Sequence, residues 1–193
     1  MNLDYYSVPS VVSVEEDFMK SKKIIFITGG ARSGKSQFAQ SLAQGFPGPK
    51  AYLATAQALD EEMAERIRRH KMSRPPDWQT LEEPVRLGEC LREHGARFHV
   101  ILLDCLTLWV SNVMLAGWTE ETILQEADQW IQTGREITCS LILVGNEVGM
   151  GIVPDNPQAR TFRDLSGRIQ QKVAEEADEV YFMVSGLAQK IKG

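Results

Sequence analysis

Cysteine is scarce in this sequence, and the spacing of the few cysteines excludes two kinds of scaffold. The chain has 193 residues and three cysteines, Cys90, Cys105 and Cys139. They form no C-x-x-C pair and have no histidine pairs nearby, so neither a zinc site nor a disulfide framework is expected. Reduced thiols are the simpler interpretation, and the sequence therefore predicts a cytoplasmic protein.

Long apolar runs and an excess of basic residues are also missing. No run approaches the roughly 20 residues that a membrane-spanning helix needs, so no membrane span is predicted. Lys and Arg number 21 against 26 Asp and Glu, which gives a formal net charge of −5. Nucleic-acid binding rewards basic faces, so this balance argues against a nucleic-acid partner. The remaining composition, 43% hydrophobic and 24% charged, is that of an ordinary globular domain.

The N-terminal segment differs from the rest of the chain. Residues 1–20 contain no glycine and only a short apolar patch at Val11-Val12. A signal peptide needs a basic start and a longer apolar stretch, so none is predicted. We expect residues 1–22 to be a loosely ordered extension, with an arm packed on a neighbouring subunit as the alternative. Residues 23–193 are expected to form one domain.

Short apolar runs alternate with amphipathic stretches along the remainder of the chain. The predicted strands are Lys23–Thr28, Ala51–Ala54, His99–Asp104, Ser140–Gly145 and Glu179–Val184. The predicted helices are Ser36–Gln44, Asp60–Lys71, Pro84–His94, Thr119–Thr133 and Pro157–Ala177. This alternation predicts a doubly wound α/β fold with a mostly parallel sheet. Its ligands should bind outside the carboxyl ends of the strands, where Thr55, Asp104 and Asn146 would gather.

The most informative motif follows the first predicted strand. Residues 29–36 read G-x-x-x-x-G-K-S, the pattern of a phosphate-binding P-loop between a strand and a helix. Gly29 and Gly34 permit backbone angles that a Cβ would forbid, and successive N–H groups can then form an anion-binding nest. Lys35 is expected to reach the outer phosphates, and the Ser36 hydroxyl to hold Mg²⁺. The motif predicts that the chain binds a nucleoside polyphosphate.

Two acidic residues are candidates for completing a metal site. Asp104 ends the apolar run Val100-Ile101-Leu102-Leu103, where P-loop proteins place a carboxylate that holds Mg²⁺. A carboxylate that caps the next helix is the alternative for Asp104. Glu147, which follows the strand at Ser140–Gly145, is the alternative acid.

His70 lies late in the predicted helix Asp60–Lys71, among basic residues. Arg66, Arg68, Arg69, Lys71 and Arg74 are its neighbours in sequence, and Met63 and Ile67 supply the apolar stripe of the helix. Nearby cations disfavour the charged imidazolium and would stabilise phosphates, which suits a nucleophilic histidine. A surface histidine without a role is the alternative.

Two further segments are candidates without a firm assignment. Glu82 and Glu83 follow a loop with Pro75, Pro76 and Trp78, and a carboxylate there could accept hydrogen bonds from guanine. The same two acids before Pro84 would also favour the start of a helix. The glycine-rich stretch at 146–154 is typical of functional loops, but its composition names no role.

Several segments together resemble one known family. They are GGARSGKS at 29–36, ATAQ at 54–57, RIRRHK at 66–71, LLDCLTLWVSN at 102–112, NEVGMGIVP at 146–154 and ADEV at 177–180. They are similar to the bifunctional adenosylcobinamide kinase/adenosylcobinamide-phosphate guanylyltransferases of coenzyme B12 biosynthesis, from about Lys23 to the C-terminus. Gln170 departs from the family, which often has asparagine there.

The resemblance implies two reactions at one P-loop site. A hydroxyl of adenosylcobinamide, a corrinoid, would take the γ-phosphoryl group of ATP or GTP. The phosphate so formed would accept GMP from GTP through a guanylylated histidine, which corresponds to His70, with Lys35 serving both steps. A homotrimer is also implied. The nucleotide contacts implied are Gly29, Gly30, Ala31, Arg32, Ser33, Gly34, Lys35, Ser36, Thr55, Ala56, Gln57, Lys71, Met72, Ser73, Arg74, Glu82 and Asp104, with Ser36 and Asp104 at Mg²⁺.

Three alternatives remain from the residues alone. A chain that kept only the guanylyltransferase activity would carry the same motifs. A non-catalytic nucleotide-binding switch would need little beyond the P-loop and the metal site. A RecA-like ATPase acting on nucleic acid is disfavoured by the acidic balance.

Overall fold

The structure, a computed structural model, describes residues 22–72 and 76–193. Nearly all of the predicted N-terminal extension, and the predicted site residues Ser73 and Arg74, lie outside the described residues. The strands are β1 Ile24–Gly29, β2 Lys50–Ala54, β3 Trp78–Glu82, β4 Val100–Asp104, β5 Ser140–Val144, β6 Glu179–Val184 and β7 Leu187–Lys192. The helices are α1 Lys35–Gln44, α2 Glu61–Met72, α3 Leu87–His94, α4 Leu106–Leu115, α5 Glu120–Glu136 and α6 Pro157–Glu176, with a 3₁₀ turn at Gly95–Arg97.

The seven strands form one sheet in the order β3-β2-β4-β5-β1-β6-β7. Strands β1 to β6 pair in parallel, and only β7 runs antiparallel to its neighbour β6. The strands β2, β4 and β5 are almost wholly buried, because helices cover both faces of the sheet. On one face a core joins α3, α4, α5 and α6 to the sheet, and on the other a second core packs α1 against it. The predicted doubly wound α/β fold is confirmed.

The predicted helix at Pro84–His94 begins three residues later, at Leu87. The carboxylate of Glu83 accepts hydrogen bonds from the backbone N–H groups of Val85, at 2.8 Å, and Arg86, at 2.7 Å. These bonds hold a turn before the helix. By contrast, the expected start of α6 is confirmed: Pro157 is its first residue, and Asn156 caps Gln158 and Ala159.

Three elements were not predicted, each for a physical reason. Strand β3 at the sheet edge buries only Trp78 and Leu81, so its pattern is that of a polar loop. Helix α4 is apolar on nearly all sides and gives no amphipathic pattern. Strand β7 is exposed along its whole length and follows a two-residue turn in which Ser185 and Gly186 both have positive φ, 51° and 86°.

Helix α2 differs from the other helices because none of its residues is buried. It lies outside both cores, and one of its faces borders the cavity described below. Over the residues that the structure covers, no helix combines the length and the apolar character needed to cross a membrane.

Candidate active site

The P-loop joins the end of β1 to the start of α1, and the backbone requires glycine at two of its positions, Gly29 and Gly34. Gly29 has φ 144°, and a Cβ there would clash with the backbone oxygen of Met183 on β6. Gly34 has φ 93° and begins α1. The turn between β6 and β7 supports the loop, because the Gly186 N–H donates to the Ser33 carbonyl at 3.0 Å. The unpredicted hairpin therefore braces the predicted phosphate site.

Lys35 is buried at the start of α1, with its ammonium held by the loop itself. Its Nζ donates to the Gly30 carbonyl at 2.6 Å and lies 3.4 Å from the Ser33 hydroxyl. Burial lowers the pKa of Lys35 from its ordinary value, and the nearby Cys105 and Asp104 oppose that shift. The ammonium therefore lies inside the loop, where a phosphate oxygen could replace the Gly30 carbonyl as its hydrogen-bond acceptor.

A cavity of about 860 Å³ opens beside the P-loop. Of the residues with predicted roles, it is lined by Arg32, Ser33, Gly34, Lys35, Ser36, Ala56, Gln57, His70, Lys71, Glu82 and Asp104. Four cationic side chains line it, those of Arg32, Lys35, Arg66 and Lys71, against the carboxylates of Glu82 and Asp104. The excess of positive charge suits a polyanion such as a nucleoside triphosphate.

Two of the polar residues expected to meet at the carboxyl ends of the strands do lie together. Asp104 and Asn146, which follow β4 and β5, line the cavity together. Asn146 is held by Gln170, whose Nε2 donates to the Asn146 carbonyl at 2.9 Å. The Gln170 Oε1 in turn accepts from the Thr28 hydroxyl at 2.9 Å, which links the ends of β1 and β5.

Thr55 lies behind the cavity wall, not on it. Its side chain is fully buried, and its hydroxyl donates to the Cys105 carbonyl and accepts from the Cys105 N–H, each at 2.8 Å. The Thr55 carbonyl accepts from Asn112 of α4 at 2.7 Å. Gly29, Gly30, Ala31 and Met72 are likewise not among the lining residues. Nucleotide contacts at these positions remain predictions.

Ser36 and Asp104 form a pair of oxygen ligands. The Ser36 hydroxyl donates to Oδ2 of Asp104 at 2.6 Å, and the Tyr52 hydroxyl donates to the same oxygen at 2.8 Å. A hydroxyl and a carboxylate are hard oxygen ligands of the kind that Mg²⁺ takes together with phosphates. Within the described ranges no cluster of three or more His, Cys, Asp or Glu side chains could hold a metal ion.

The alternatives for the two acids can now be compared. Helix α4 begins at Leu106 with Cys105 at its N-cap position, and the carboxylate of Asp104 is engaged by Ser36 and Tyr52 instead. The carboxylate of Glu147 folds back on its own loop, where it accepts from the Gly149 N–H at 2.5 Å and the Met150 N–H at 3.0 Å. A metal role for Asp104 remains a prediction, and the carboxylate of Asp104, unlike that of Glu147, lines the cavity.

His70 reaches the cavity from α2. Met63, Ile67 and His70, at positions i, i+4 and i+7, are the half-buried residues of the helix face that lines the cavity, and Arg66 lies beside them. The expected basic surroundings are only partly present, because Arg68 and Arg69 pair with Glu65 at 2.7 Å each. Hydrogen bonds from these two arginines lower the pKa of Glu65 to about 2.

Lys71 and Glu82 form an ion pair across the cavity mouth. Lys71 belongs to α2 and Glu82 ends β3, so the pair ties the helix that carries His70 to the sheet edge. Both side chains are about half exposed, 46% and 60%, so the pair contributes little to stability. Both were predicted to contact the nucleotide, and the structure brings them together.

Several residues that line the cavity had no predicted role, and Tyr52 and Leu108 are two of them. Tyr52 lies in the middle of β2, and Leu108 belongs to the unpredicted helix α4. Tyr52 belongs to no motif, and Leu108 lies in the segment at 102–112 that resembles the family but was given no role of its own. The only signal for Tyr52 would have been its position on the same face of β2 as Ala54, which also lines the cavity.

The strand, glycine-rich loop and helix around a buried lysine, opposite an acidic strand end, define a P-loop nucleotide-binding enzyme with a RecA-like fold. A solved structure, the flagellar accessory protein FlaH from Methanocaldococcus jannaschii, has a similar fold at a TM-score of 0.52 and 16% identity. The similarity covers 88% of this chain and 78% of that one.

Residues 25–191 match the family model CobU, cobinamide kinase / cobinamide phosphate guanyltransferase, and the chain belongs to this family. The bifunctional adenosylcobalamin biosynthesis protein CobU of Salmonella typhimurium is 42% identical over 181 residues, which are 88% of this chain and 99% of the relative. The protein CobP of Pseudomonas aeruginosa, with the same description, is 41% identical over 167 residues, 86% of this chain and 96% of the relative. The protein is thus a bifunctional enzyme of cobalamin biosynthesis, a cobinamide kinase and cobinamide phosphate guanylyltransferase. The expected family and activity are confirmed.

Proposed function

We propose that both reactions take place in the one cavity beside the P-loop, and that His70 carries the guanylyl group from GTP to the corrinoid phosphate in the second. The observation that carries the proposal is that His70, Lys35 and Asp104 line the same cavity. In the first reaction, a hydroxyl of adenosylcobinamide attacks the γ-phosphorus of ATP or GTP, and the nucleoside diphosphate leaves. In the second, the corrinoid phosphate so formed accepts GMP.

The guanylyl transfer has two steps. A ring nitrogen of His70 attacks the α-phosphorus of GTP, the bond to the bridging oxygen breaks, and pyrophosphate leaves. An oxygen of the corrinoid phosphate then attacks the same phosphorus, the N–P bond breaks, and the imidazole is restored as adenosylcobinamide-GDP forms. A covalent intermediate divides one difficult transfer into two easier ones.

The remaining cavity residues have supporting roles. The ammonium of Lys35 leaves the Gly30 carbonyl and binds the outer phosphates, with the N–H groups of the P-loop around them. Ser36 and Asp104 would hold Mg²⁺, which supplies positive charge for the phosphates and the leaving group. Glu82 would accept from the N1–H and the amino group of guanine, and Arg66 and Lys71 line the cavity beside His70.

The context of the enzyme is part of the proposal. We assign residues 23–193 to the catalytic domain and residues 1–22 to an extension, and we expect a homotrimer with nucleotide sites near the subunit boundaries. A cytoplasmic location is supported by the three free cysteines. Burial raises the pKa of Cys90, Cys105 and Cys139 to about 11, so none is suited to thiol chemistry.

Intact-protein mass after incubation with Mg²⁺ and GTP tests the role of His70. Native protein should gain one GMP, in a bond that acid breaks and base leaves intact, because a histidine phosphoramidate has that stability. His70→Ala should gain none, and its guanylyl transfer should fall at least about 1000-fold while GTP still binds. His94→Ala is the matched control, since His94 is also half-buried but does not line the cavity. An adduct on His70→Ala, or normal transfer by it, would contradict the covalent mechanism.

A further inference from the structure

Tyr52 lies at a place in the sheet where its side chain can reach the end of the neighbouring strand. In the pairing of β2 with β4, Tyr52 is opposite Leu102 and Ala54 is opposite Asp104. Tyr52 and Asp104 are therefore diagonal neighbours on one face of the sheet, a separation that an aromatic side chain can span. The residue is buried, with 3% of its surface exposed, and its ring lines the cavity.

The Tyr52 hydroxyl donates to Oδ2 of Asp104 at 2.8 Å. The Ser36 hydroxyl donates to the same oxygen at 2.6 Å, from the start of α1. The terminal torsion of an aspartate is soft, so the direction of its carboxylate is set by hydrogen bonds. Two donors that converge on one oxygen from different elements fix that direction.

The two donors differ in what holds them. Ser36 belongs to the P-loop, where the proposed function requires Lys35 to leave the Gly30 carbonyl when a phosphate binds. Tyr52 belongs to a strand that is paired on both sides, with β3 and with β4. Its hydroxyl is therefore a fixed point against which the Asp104 carboxylate is oriented, whatever the P-loop does.

We propose that Tyr52 is a positioning residue that orients the Asp104 carboxylate for the magnesium–nucleotide complex in both reactions. The inference rests on the proposed function, since it takes Ser36 and Asp104 as the metal ligands. Tyr52 touches neither metal nor reacting atoms in this role. It acts through Asp104.

Nucleotide affinity with and without Mg²⁺ tests this role in the variant Tyr52→Phe. The probe is a GTP analogue with a methylene bridge between the α and β phosphorus atoms, which His70 cannot cleave, and binding is measured by calorimetry. The Mg²⁺ gain is the factor by which Mg²⁺ raises affinity for the analogue. Because the variant loses one hydrogen bond to a charged group, its Mg²⁺ gain should be about tenfold smaller than that of native protein. Affinity in EDTA should change less than about threefold, because the P-loop contacts are intact. Binding of Mn²⁺ in the presence of the analogue, followed by electron paramagnetic resonance, should weaken in parallel.

Tyr181→Phe is the matched control. The Tyr181 hydroxyl also donates to a carboxylate, Oε2 of Glu179 at 2.7 Å, but neither residue lines the cavity. Its removal should leave the Mg²⁺ gain unchanged. A Tyr52→Phe variant that keeps the full Mg²⁺ gain and binds in EDTA like native protein overturns the role of Tyr52 alone. No Mg²⁺ gain in native protein overturns the metal site, and the role of Tyr52 with it.

Discussion

At the scale of single residues, the proposed recognition of guanine by Glu82 requires the base to replace Lys71 in an ion pair that lines the cavity. Lys71 and Glu82 pair across the cavity mouth. An exposed pair of this kind is worth no more than about 1 kcal/mol, so an entering base can displace the lysine at small cost. The carboxylate would then exchange one cationic donor for the two N–H donors of guanine.

Glu82→Gln should reduce the preference for GTP over ATP by about tenfold. The amide has one acceptor oxygen where the carboxylate has two, and adenine offers no matching pair of donors. The measurement is the ratio of the two dissociation constants, which cancels any general effect of releasing Lys71. Glu83→Gln is the control, because the Glu83 carboxylate instead holds the turn at Val85 and Arg86. Unchanged selectivity in Glu82→Gln would move guanine reading elsewhere.

The sequence predicted those site residues whose position follows from local order along the chain. Lys35 and Ser36 belong to a contiguous motif, and Asp104 ends an apolar strand, so their meeting follows from parallel topology. Tyr52 could not be found in this way, since its contact with Asp104 depends on the register between β2 and β4. The same holds for Thr55, whose burial behind the wall depends on how Cys105 and α4 pack against it.

At the scale of elements, prediction succeeded for helices with one periodic buried face and for buried strands with a continuous apolar run. Helices α5 and α6 have clear caps and one buried face, and their predicted and observed starts agree within one residue. Helix α4 is buried on most sides, and edge strands β3 and β7 bury little or nothing. The secondary structure of these elements depends on packing and pairing with other parts of the chain. Their own sequences therefore show little of the hydrophobic pattern from which secondary structure is predicted.

One buried carboxylate connects strand β6 with β7 and with the residue that precedes β1. Glu179 of β6 is 4% exposed. Its carboxylate forms ion pairs with Lys23, just before β1, at 2.7 Å and with Lys190 of β7 at 3.2 Å. Burial alone would raise the pKa of Glu179, but hydrogen bonds from Lys23, Tyr181 and Lys190 outweigh it and lower the pKa. The charged form is therefore the one that stabilises this end of the sheet.

Glu179→Gln should lower the free energy of unfolding by about 2–3 kcal/mol at pH 7, because it removes the buried anion that pairs with Lys23 and Lys190. A carboxyl whose folded pKa is depressed stabilises the fold above its unfolded pKa and loses that effect as the pH falls through the folded pKa. The difference between native and variant should thus shrink below about pH 4.5. Urea unfolding at a series of pH values measures it. A difference independent of pH would mean that packing, not charge, holds Glu179.

At the scale of the whole molecule, the proposed function has one P-loop serve both reactions. The cavity is bordered by the fixed sheet edge on one side, at Asp104 and Asn146, and by the unburied helix α2 on the other. The sheet edge provides the phosphate and metal groups, and α2 provides His70. Sharing the phosphate groups between the two reactions, as proposed, would let a chain of 193 residues carry out both.

Lys35→Met tests that sharing, because a common ammonium should be needed by both reactions. Phosphorylation of cobinamide and guanylyl transfer, the second started from cobinamide phosphate, should each fall at least about 100-fold. Lys50→Met is the matched control, since Lys50 is also buried and its Nζ donates to a glycine carbonyl, that of Gly48, at 3.1 Å, but it does not line the cavity. It should keep both activities. Guanylyl transfer that persists in Lys35→Met while phosphorylation is lost would require a second phosphate site. In that case His70 would take GTP from outside the P-loop.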